Sequence, residues 1–287
     1  MRAHVPSYQL ISPASLDEAL TALAIDGQWK PFAGGTDLMV LLEAGKLPHK
    51  NYLNIWHLQE LRGIEVTDEY VTLGALTTYT EVQQHPVLRA EFPMLCQAGK
   101  ETGGIAIQNR GTLGGNIVNA SPAADSPPAL LAYDAELELI SKAGARQIPY
   151  SKFHTGYKQM EIAPNELLRA IRLPRSAAPL RHYYRKVGTR KAQAISKVCF
   201  AGAANISNDQ VRTIRIAFGS VAPIPIRCWQ TEAKIQNQPL NDQTIQSAID
   251  SLATEIAPID DIRSSRDYRL QVSQNLLQDF LLQLKTS

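Results

Sequence analysis

Cysteine is scarce in this 287-residue sequence, which contains only three. Cys96, Cys199 and Cys228 lie far apart and form no C-x-x-C pair. Their number and spacing argue against a disulfide framework, a zinc ribbon and an iron–sulfur cluster held by this chain. We therefore expect three buried or half-buried thiols in a reducing compartment.

Long apolar runs are also missing. Residues 127–132 form one of the longest, which is far short of the roughly 18 consecutive apolar residues that a membrane span needs. The N-terminal segment contains Arg2 and His4 and lacks the apolar core of a signal peptide. The sequence therefore predicts a soluble, cytoplasmic protein without a membrane segment.

A strong charge of one sign is absent as well. The 29 Lys and Arg residues nearly balance the 27 Asp and Glu residues, so the formal net charge is +2. Nonspecific binding to nucleic acid or to a membrane surface therefore has no electrostatic support. The length corresponds to about two domains, or three if one of them is small.

Common catalytic motifs are missing too. The six histidines form no H-x-x-x-H or H-E-x-x-H pattern, so no metal site is indicated. No serine lies in a G-x-S-x-G elbow and no cysteine lies in a known nucleophile signature. A hydrolase therefore has little support from the sequence.

The sequence does contain a mixture of helical and extended patterns, which is typical of an α+β protein. Ser15 is expected to cap a first helix that ends near Gly27. Further helical patterns cover residues 38–43, 80–85, 87–102, 242–256 and 268–284. Extended patterns cover residues 30–33, 51–55, 64–66, 70–73, 136–140, 146–148, 166–173, 198–206 and 211–218. Residues 176–179 are the best candidate for the start of a C-terminal domain.

Two double-glycine segments, Gly34-Gly35 and Gly114-Gly115, are the most informative motifs. Neither fits the dinucleotide fingerprint G-x-G-x-x-G or the phosphate loop G-x-x-x-x-G-K-S/T, which disfavours a Rossmann domain and a nucleoside triphosphatase. Glycine lets backbone amides approach an anion closely, and Thr36 and Thr112 add hydroxyl donors. If the two turns face each other, they could hold the two phosphates of a dinucleotide. The alternative is that each is an ordinary tight turn.

These segments resemble a known family. Residues 33–37, together with residues 112–117 and 120–125, resemble the two flavin-binding signatures of the FAD subunit of molybdenum hydroxylases. This family includes the medium subunits of xanthine dehydrogenase, carbon monoxide dehydrogenase and 4-hydroxybenzoyl-CoA reductase. Residues 153–156, 218–227 and 264–269 also resemble later family segments, so the resemblance covers essentially the whole chain. It is greatest to the FAD subunits of bacterial xanthine dehydrogenases.

The resemblance implies a fold and a set of domains. The fold is α+β, of the FAD-binding type found in vanillyl-alcohol oxidase, with two α+β subdomains that enclose the cofactor. The subdomains correspond to residues 1–57 and 58–176. A C-terminal domain, residues 177–287, is expected to contain a small antiparallel sheet and helices.

The resemblance also implies which residues bind FAD. The pyrophosphate would be held by two groups of residues: Lys30, Pro31, Phe32, Ala33, Gly34, Gly35, Thr36 and Asp37 in the first segment, and Gly111, Thr112, Leu113, Gly114, Gly115 and Asn116 in the second. Asp125 would bond the sugar-like chain of the flavin, although Asn116 and Asp125 could also be helix or turn caps. Leu167 and Lys186 match positions that line the flavin. A cation at residue 186 would raise the flavin potential, and the alternative is a surface lysine on an amphipathic strand.

The function implied is electron transfer. Electrons from a molybdopterin-binding large subunit would pass through two-iron clusters of a small subunit to FAD on this chain and on to NAD, within a dimer of heterotrimers. This chain lacks the cysteine-rich insertion of some relatives, and residues 190–195 lack the acidic residues of several xanthine dehydrogenases, which leaves the electron acceptor open. The alternatives are the FAD subunit of another molybdenum hydroxylase (carbon monoxide dehydrogenase or an aromatic or aldehyde type), a stand-alone flavin reductase and a scaffold without redox function.

Overall fold

The computed structural model describes residues 8–25, 28–175, 180–190, 193–207 and 210–285, and it mixes helices with parallel and antiparallel sheets. Three features of the sequence analysis lie outside the described residues. They are the expected boundary at residues 176–179, the expected helix end at Gly27, and Lys191 and Ala192 in the segment before β12 (Val198–Ser207). Among the described residues, no helix has the combination of length and apolarity that crossing a bilayer demands.

The first unit is a small parallel sheet with two helices. Its elements are β1 (Gln9–Ile11), α1 (Leu16–Leu23), β2 (Trp29–Phe32), α2 (Leu38–Glu43) and β3 (Asn51–Asn54), and the strand order is β1-β3-β2. Ser15 caps α1 as predicted, because its hydroxyl accepts a hydrogen bond from the Glu18 amide at 3.2 Å. Buried leucines of this unit share one hydrophobic cluster with Leu61, Leu76 and Leu167, which attaches it to the next unit.

The second unit is built on a five-stranded antiparallel sheet. Its strands are β4 (Ile64–Val66), β5 (Tyr70–Gly74), β6 (Glu136–Ser141), β7 (Gly144–Pro149) and β10 (Leu167–Pro174), in the order β4-β5-β10-β6-β7. A separate hairpin pairs β8 (His154–Gly156) with β9 (Gln159–Met160). The predicted hairpins at residues 64–73 and 136–148 are confirmed.

Six short helices pack beside this sheet. They are α3 (Tyr79–Gln84), α4 (Pro86–Glu91), α5 (Pro93–Glu101), α6 (Ile105–Gln108), α7 (Leu113–Val118) and α8 (Ser126–Ala132). Pro86 and Pro93 occupy first-turn positions and so divide residues 79–101 into three helices, because proline lacks the amide that a continuous helix would need. The sequence did not predict α6, α7 or α8.

The third unit is a four-stranded antiparallel sheet with three helices. Its strands are β11 (Arg181–Val187), β12, β13 (Gln210–Gly219) and β14 (Ile226–Arg227), and its helices are α9 (Trp229–Ile235), α10 (Asp242–Glu255) and α11 (Arg266–Lys285). One face of β12 contributes Ala201 and Ala203 to the core of the second unit, and the other packs Phe200 with Phe280 of α11. The four-stranded sheet therefore lies between the second unit and the C-terminal helices.

Candidate functional site

The two glycine segments meet in the structure. A Cβ atom built on Gly34 would lie 1.8 Å from the carbonyl oxygen of Arg110, the residue before Gly111. Only glycine permits this approach, because real Cβ atoms essentially never come within 3.0 Å of such an atom. The first segment therefore lies directly against the backbone that leads into the second, so the two turns are not independent of each other.

The first segment runs from β2 to the start of α2. Gly35 has φ +76°, a left-handed conformation that favours glycine, and a Cβ there would meet the Phe32 ring at 2.7 Å. The amides of Gly34, Gly35 and Thr36 donate to no backbone carbonyl among the described residues. The positions predicted for the pyrophosphate are half-buried at Lys30, Pro31, Phe32, Ala33, Gly34, Gly35 and Thr36, and exposed at Asp37. This turn therefore presents amide donors at a half-buried surface.

The second segment has a different role, since the amides of Leu113, Gly114 and Gly115 already have acceptors. The Leu113 amide donates to the Thr77 carbonyl and the Gly114 amide to the Ala75 carbonyl, both at 2.9 Å. A Cβ on Gly114 would lie 2.7 Å from the Ala75 oxygen. The Gly115 amide donates to the Thr112 hydroxyl at 3.0 Å, which caps α7. This segment therefore forms a packed wall beside the free amides of the first.

Gly115 is the position of the second segment that borders open space. A Cβ there would meet the Thr112 hydroxyl oxygen at 2.8 Å and no other atom within 4 Å. Asn116 follows it and accepts a hydrogen bond from the Ser126 hydroxyl at 2.5 Å, which ties α7 to the start of α8. The space into which a side chain at residue 115 would point is therefore open to a ligand.

Lys186 and Asp125 form a buried ion pair. Lys186 Nζ lies 2.7 Å from Asp125 Oδ2 and donates to the Glu101 carbonyl at 2.9 Å. The side chains are 7% and 10% exposed, so the alternative of a surface lysine is wrong. Asp125 stands at the cap position of α8, but its side chain makes no capping hydrogen bond. The carboxylate binds Lys186 instead.

The other Asp125 oxygen has no partner among the described residues. Oδ1 is buried and makes no hydrogen bond within the part of the chain that the structure describes. Burial raises the pKa of Asp125 to about 6, while Lys186 acts in the opposite direction. The ammonium of Lys186 at 2.7 Å favours the ionised form of the carboxylate. A buried, charged acceptor without a donor is costly, and a hydroxyl or N–H of a bound molecule would satisfy it.

The side chains of two predicted site residues are buried in the hydrophobic core. Leu113 is fully buried in the cluster of the second unit, and Leu167 is 3% exposed in the cluster that joins the first two units. Their side chains stabilise the walls of the site by packing, and any contact that they make with a ligand would come from the backbone.

Sequence reasoning missed an aromatic contact that supports the junction of the glycine segments. The guanidinium carbon of Arg110 lies 3.9 Å from the ring centroid of Trp56, and that of Arg62 lies 4.5 Å from it. Such stacking is favourable because the ring face is electronegative. The side chain of Arg110 thus holds the backbone whose carbonyl contacts Gly34, and no local pattern in the sequence indicated it.

Lys158 is a second residue for which no sequence pattern indicated a role. It lies between β8 and β9 with φ +58° and donates to the Asn119 carbonyl at 2.5 Å and to its side-chain oxygen at 2.9 Å. Burial lowers the pKa of Lys158, and attraction to Asp37 opposes this. Lys158 therefore brings a positive charge between the end of α7 and the start of α2.

The chemistry available at this site is binding rather than covalent catalysis. Free amides and threonine hydroxyls can hold an anion, and the buried ion pair offers a fixed cation and an unsatisfied acceptor. Among the described residues, no group of three or more His, Cys, Asp or Glu side chains could hold a metal ion. Cys96, Cys199 and Cys228 are free and buried or half-buried, as predicted. This donor set suits a cofactor with phosphates and polar hydrogens, such as FAD.

Comparison with known proteins agrees with this assignment. The family model described as the FAD-binding domain in molybdopterin dehydrogenase matches residues 6–176, and the CO dehydrogenase flavoprotein C-terminal domain matches residues 182–284. The putative xanthine dehydrogenase FAD-binding subunit of Escherichia coli is 35% identical over 267 residues, which cover 92% of this chain and 91% of that protein. The carbon monoxide dehydrogenase medium chain of Hydrogenophaga pseudoflava is 27% identical over 95% of each chain.

A solved structure shows the same fold. Carbon monoxide dehydrogenase from Hydrogenophaga pseudoflava contains a chain that superposes with a TM-score of 0.92 at 27% identity, covering 96% of both chains. The predicted α+β FAD-binding fold is confirmed by this match. The two family matches cover almost all of the chain. This chain belongs to the family of FAD-binding subunits of molybdopterin dehydrogenases.

Proposed function

We propose that this chain is the FAD-binding electron-transfer subunit of a xanthine dehydrogenase. It would take electrons from two-iron clusters of a small partner subunit and pass them to NAD. The molybdopterin site would lie on a large partner, and the whole would be a dimer of heterotrimers. The 35% identity to the xanthine dehydrogenase FAD-binding subunit over 92% of the chain favours this member of the family. We also propose domain boundaries after residues 57 and 176.

The FAD assignment rests on two observations, the contact of Gly34 with the backbone at Arg110 and Gly111, and the buried pair of Lys186 and Asp125. In this proposal the amides of Gly34, Gly35 and Thr36 bind the diphosphate, and Asp125 Oδ1 accepts a hydrogen bond from the flavin portion. FAD, when bound, exchanges electrons singly or in pairs, which suits it to connect iron–sulfur clusters with NAD. The ammonium of Lys186 stabilises added negative charge nearby.

The visible absorption spectrum of the purified chain tests this function directly. We expect flavin bands that bleach when NADH is added without oxygen, because NADH can return electrons to bound FAD. Bands that do not bleach would indicate a different electron acceptor. A chain that takes up no flavin after FAD is added would contradict the proposal, and copurification with large and small partners would exclude a stand-alone reductase.

Gly115→Val tests the open side of the second segment. We expect the FAD dissociation constant to rise by at least about tenfold, or about 1.4 kcal/mol, because the branched side chain would enter the ligand space. Folding should change little, since the fold offers one close atom there and a helix tolerates valine as well as glycine. Flavin bound per chain and the thermal midpoint measure the two effects. The FAD dissociation constant of Gly115→Ala should fall between those of the wild type and Gly115→Val. Full flavin occupancy in Gly115→Val would show that this surface does not face the cofactor.

A further inference from the structure

A short chain of buried hydrogen bonds reaches the backbone carbonyl of Asp125. The Tyr184 hydroxyl donates to the Asp125 backbone carbonyl at 3.0 Å, and the Cys199 thiol donates to the Tyr184 oxygen at 3.2 Å. Burial raises the pKa of both Tyr184 and Cys199, so both stay protonated and remain donors. The Tyr184 hydroxyl is therefore the donor to the Asp125 carbonyl, and the Cys199 thiol, which also lies 3.8 Å from that carbonyl oxygen, is a donor to Tyr184.

Strand geometry places these groups together. Tyr184 and Lys186 are two residues apart on β11 and so project to the same face. In the antiparallel pair with β12, Lys186 lies opposite Cys199 and Tyr184 lies opposite Ala201, which is small. One strand thus holds Asp125 at two points, its carbonyl through Tyr184 and its carboxylate through Lys186.

The remaining neighbours of Asp125 leave one of its oxygens unsatisfied. The Thr102 hydroxyl lies 3.5 Å from Oδ2, on the same side as Lys186. Glu101 and Tyr79 are the other titratable groups close enough to affect the carboxylate. Oδ1 has no hydrogen-bond partner among the described residues. With the backbone and Oδ2 both fixed, the direction of Oδ1 is fixed as well.

We propose that Tyr184 is a positioning residue for the cofactor, which acts by holding the Asp125 backbone so that Oδ1 meets a polar hydrogen of the flavin portion. The inference rests on the proposed FAD site and extends it to a residue that does not touch the cofactor. A fixed acceptor binds a donor more strongly than one that must first be ordered. Without the phenol hydroxyl, the Asp125 carbonyl loses the closer of two side-chain donors and keeps the longer contact with the Cys199 thiol at 3.8 Å, so the carboxylate can turn away.

Tyr183 provides a matched control on the opposite face of the same strand. Its hydroxyl donates to Asp279 of α11 at 2.5 Å, and its ring packs against Phe200 and Phe280. Tyr183→Phe and Tyr184→Phe each remove one hydroxyl from neighbouring residues of β11. If Tyr184 served only to stabilise the fold, the two variants would behave alike.

The test compares both variants with the wild-type full-length chain loaded with FAD. For Tyr184→Phe we expect the FAD dissociation constant to rise about tenfold, which corresponds to about 1.4 kcal/mol, and the visible flavin spectrum and midpoint potential to shift. For Tyr183→Phe we expect wild-type values of all three, whatever its thermal stability. Cys199→Ala removes the donor to Tyr184 and should shift the spectrum in the same direction by less.

The outcomes separate this inference from the proposed function. A Tyr184→Phe protein with the dissociation constant, spectrum and potential of the wild type overturns the positioning role. Equal shifts in Tyr183→Phe and Tyr184→Phe also overturn it, because they indicate a general effect of β11. A wild-type chain that binds no FAD overturns the proposed function, and this inference with it.

Discussion

Replacing Gly34 by alanine is expected to raise the FAD dissociation constant by at least about 100-fold, or about 2.8 kcal/mol. The added Cβ would lie 1.8 Å from the Arg110 carbonyl oxygen, and a backbone carbonyl cannot rotate away as a side chain can. The two glycine segments must therefore move apart, and the amides of the first segment lose their place beside the wall formed by the second. Overpacking of this kind also costs about 1–3 kcal/mol of stability.

Fluorescence titration with FAD and thermal unfolding of the FAD-free chain measure the two effects of Gly34→Ala. Gly99→Ala is the matched control, because a Cβ at Gly99 in α5 meets its nearest neighbour at an ordinary 3.5 Å. We expect the control to bind FAD normally and to be as stable as the wild type or slightly more stable. Wild-type affinity in Gly34→Ala would refute the view that contact between the two segments forms the site.

Replacing Lys186 by methionine is expected to have the second-largest effect. The change keeps an unbranched side chain that is one atom shorter, but it leaves the Asp125 carboxylate buried without a cation, which costs about 3–5 kcal/mol of stability. It also removes the positive charge proposed to lie beside the flavin, so we expect a lower flavin midpoint potential. Chemical denaturation measures the stability, and a redox titration of the loaded chain measures the potential.

The stability loss of Lys186→Met should depend on pH. Folding already raises the pKa of Asp125 from 3.8 to about 6, and removing the ammonium raises it further. A carboxyl whose pKa is raised by folding favours the folded state when it is protonated. Its contribution to the free energy of unfolding is therefore fully present below the pKa of the unfolded chain and is lost as the pH rises through the pKa of the folded chain. The variant should therefore be destabilised less at about pH 5 than at about pH 8.

Two further variants show which effect belongs to the ion pair. Lys142→Met removes a lysine whose pair with Asp17 is exposed, and we expect it to change stability by less than about 0.5 kcal/mol. The double variant Asp125→Asn/Lys186→Met removes both charges and should recover much of the stability without recovering the potential. Equal stability of Lys186→Met and wild type at both pH values would show that the pair does not stabilise the fold.

The local elements of this chain follow from short stretches of sequence. The Ser15 cap, the hairpin at residues 64–73 and the helix stops at Pro86 and Pro93 all depend on residues a few positions apart. Helix α7 was missed for a related reason. It contains Gly114 and Gly115, which each disfavour a helix by about 1 kcal/mol relative to alanine, and it forms because Thr112 caps it and its apolar residues are buried.

The candidate site was predicted as a set of residues but not as an arrangement. The sequence selected Gly34, Gly115, Asp125 and Lys186, and it left open whether Lys186 was on the surface. The structure buries Lys186 against Asp125, a residue 61 positions away, and assigns different tasks to the two glycine segments. Tyr184 is not among the residues that the sequence selected, and its hydrogen bond to the Asp125 carbonyl spans 59 positions.

By itself, the sequence determined the family, the α+β class, the positions of most helices and strands, and the two motifs proposed to bind the cofactor. These depend on local conformational preferences and on residue types at fixed spacing, and both can be recognised in the linear sequence. Only the tertiary structure decided which amides stay free, which carboxylate oxygen lacks a partner and which tyrosine supports it. Those properties depend on burial and on contacts between distant segments, and both arise when the units pack together.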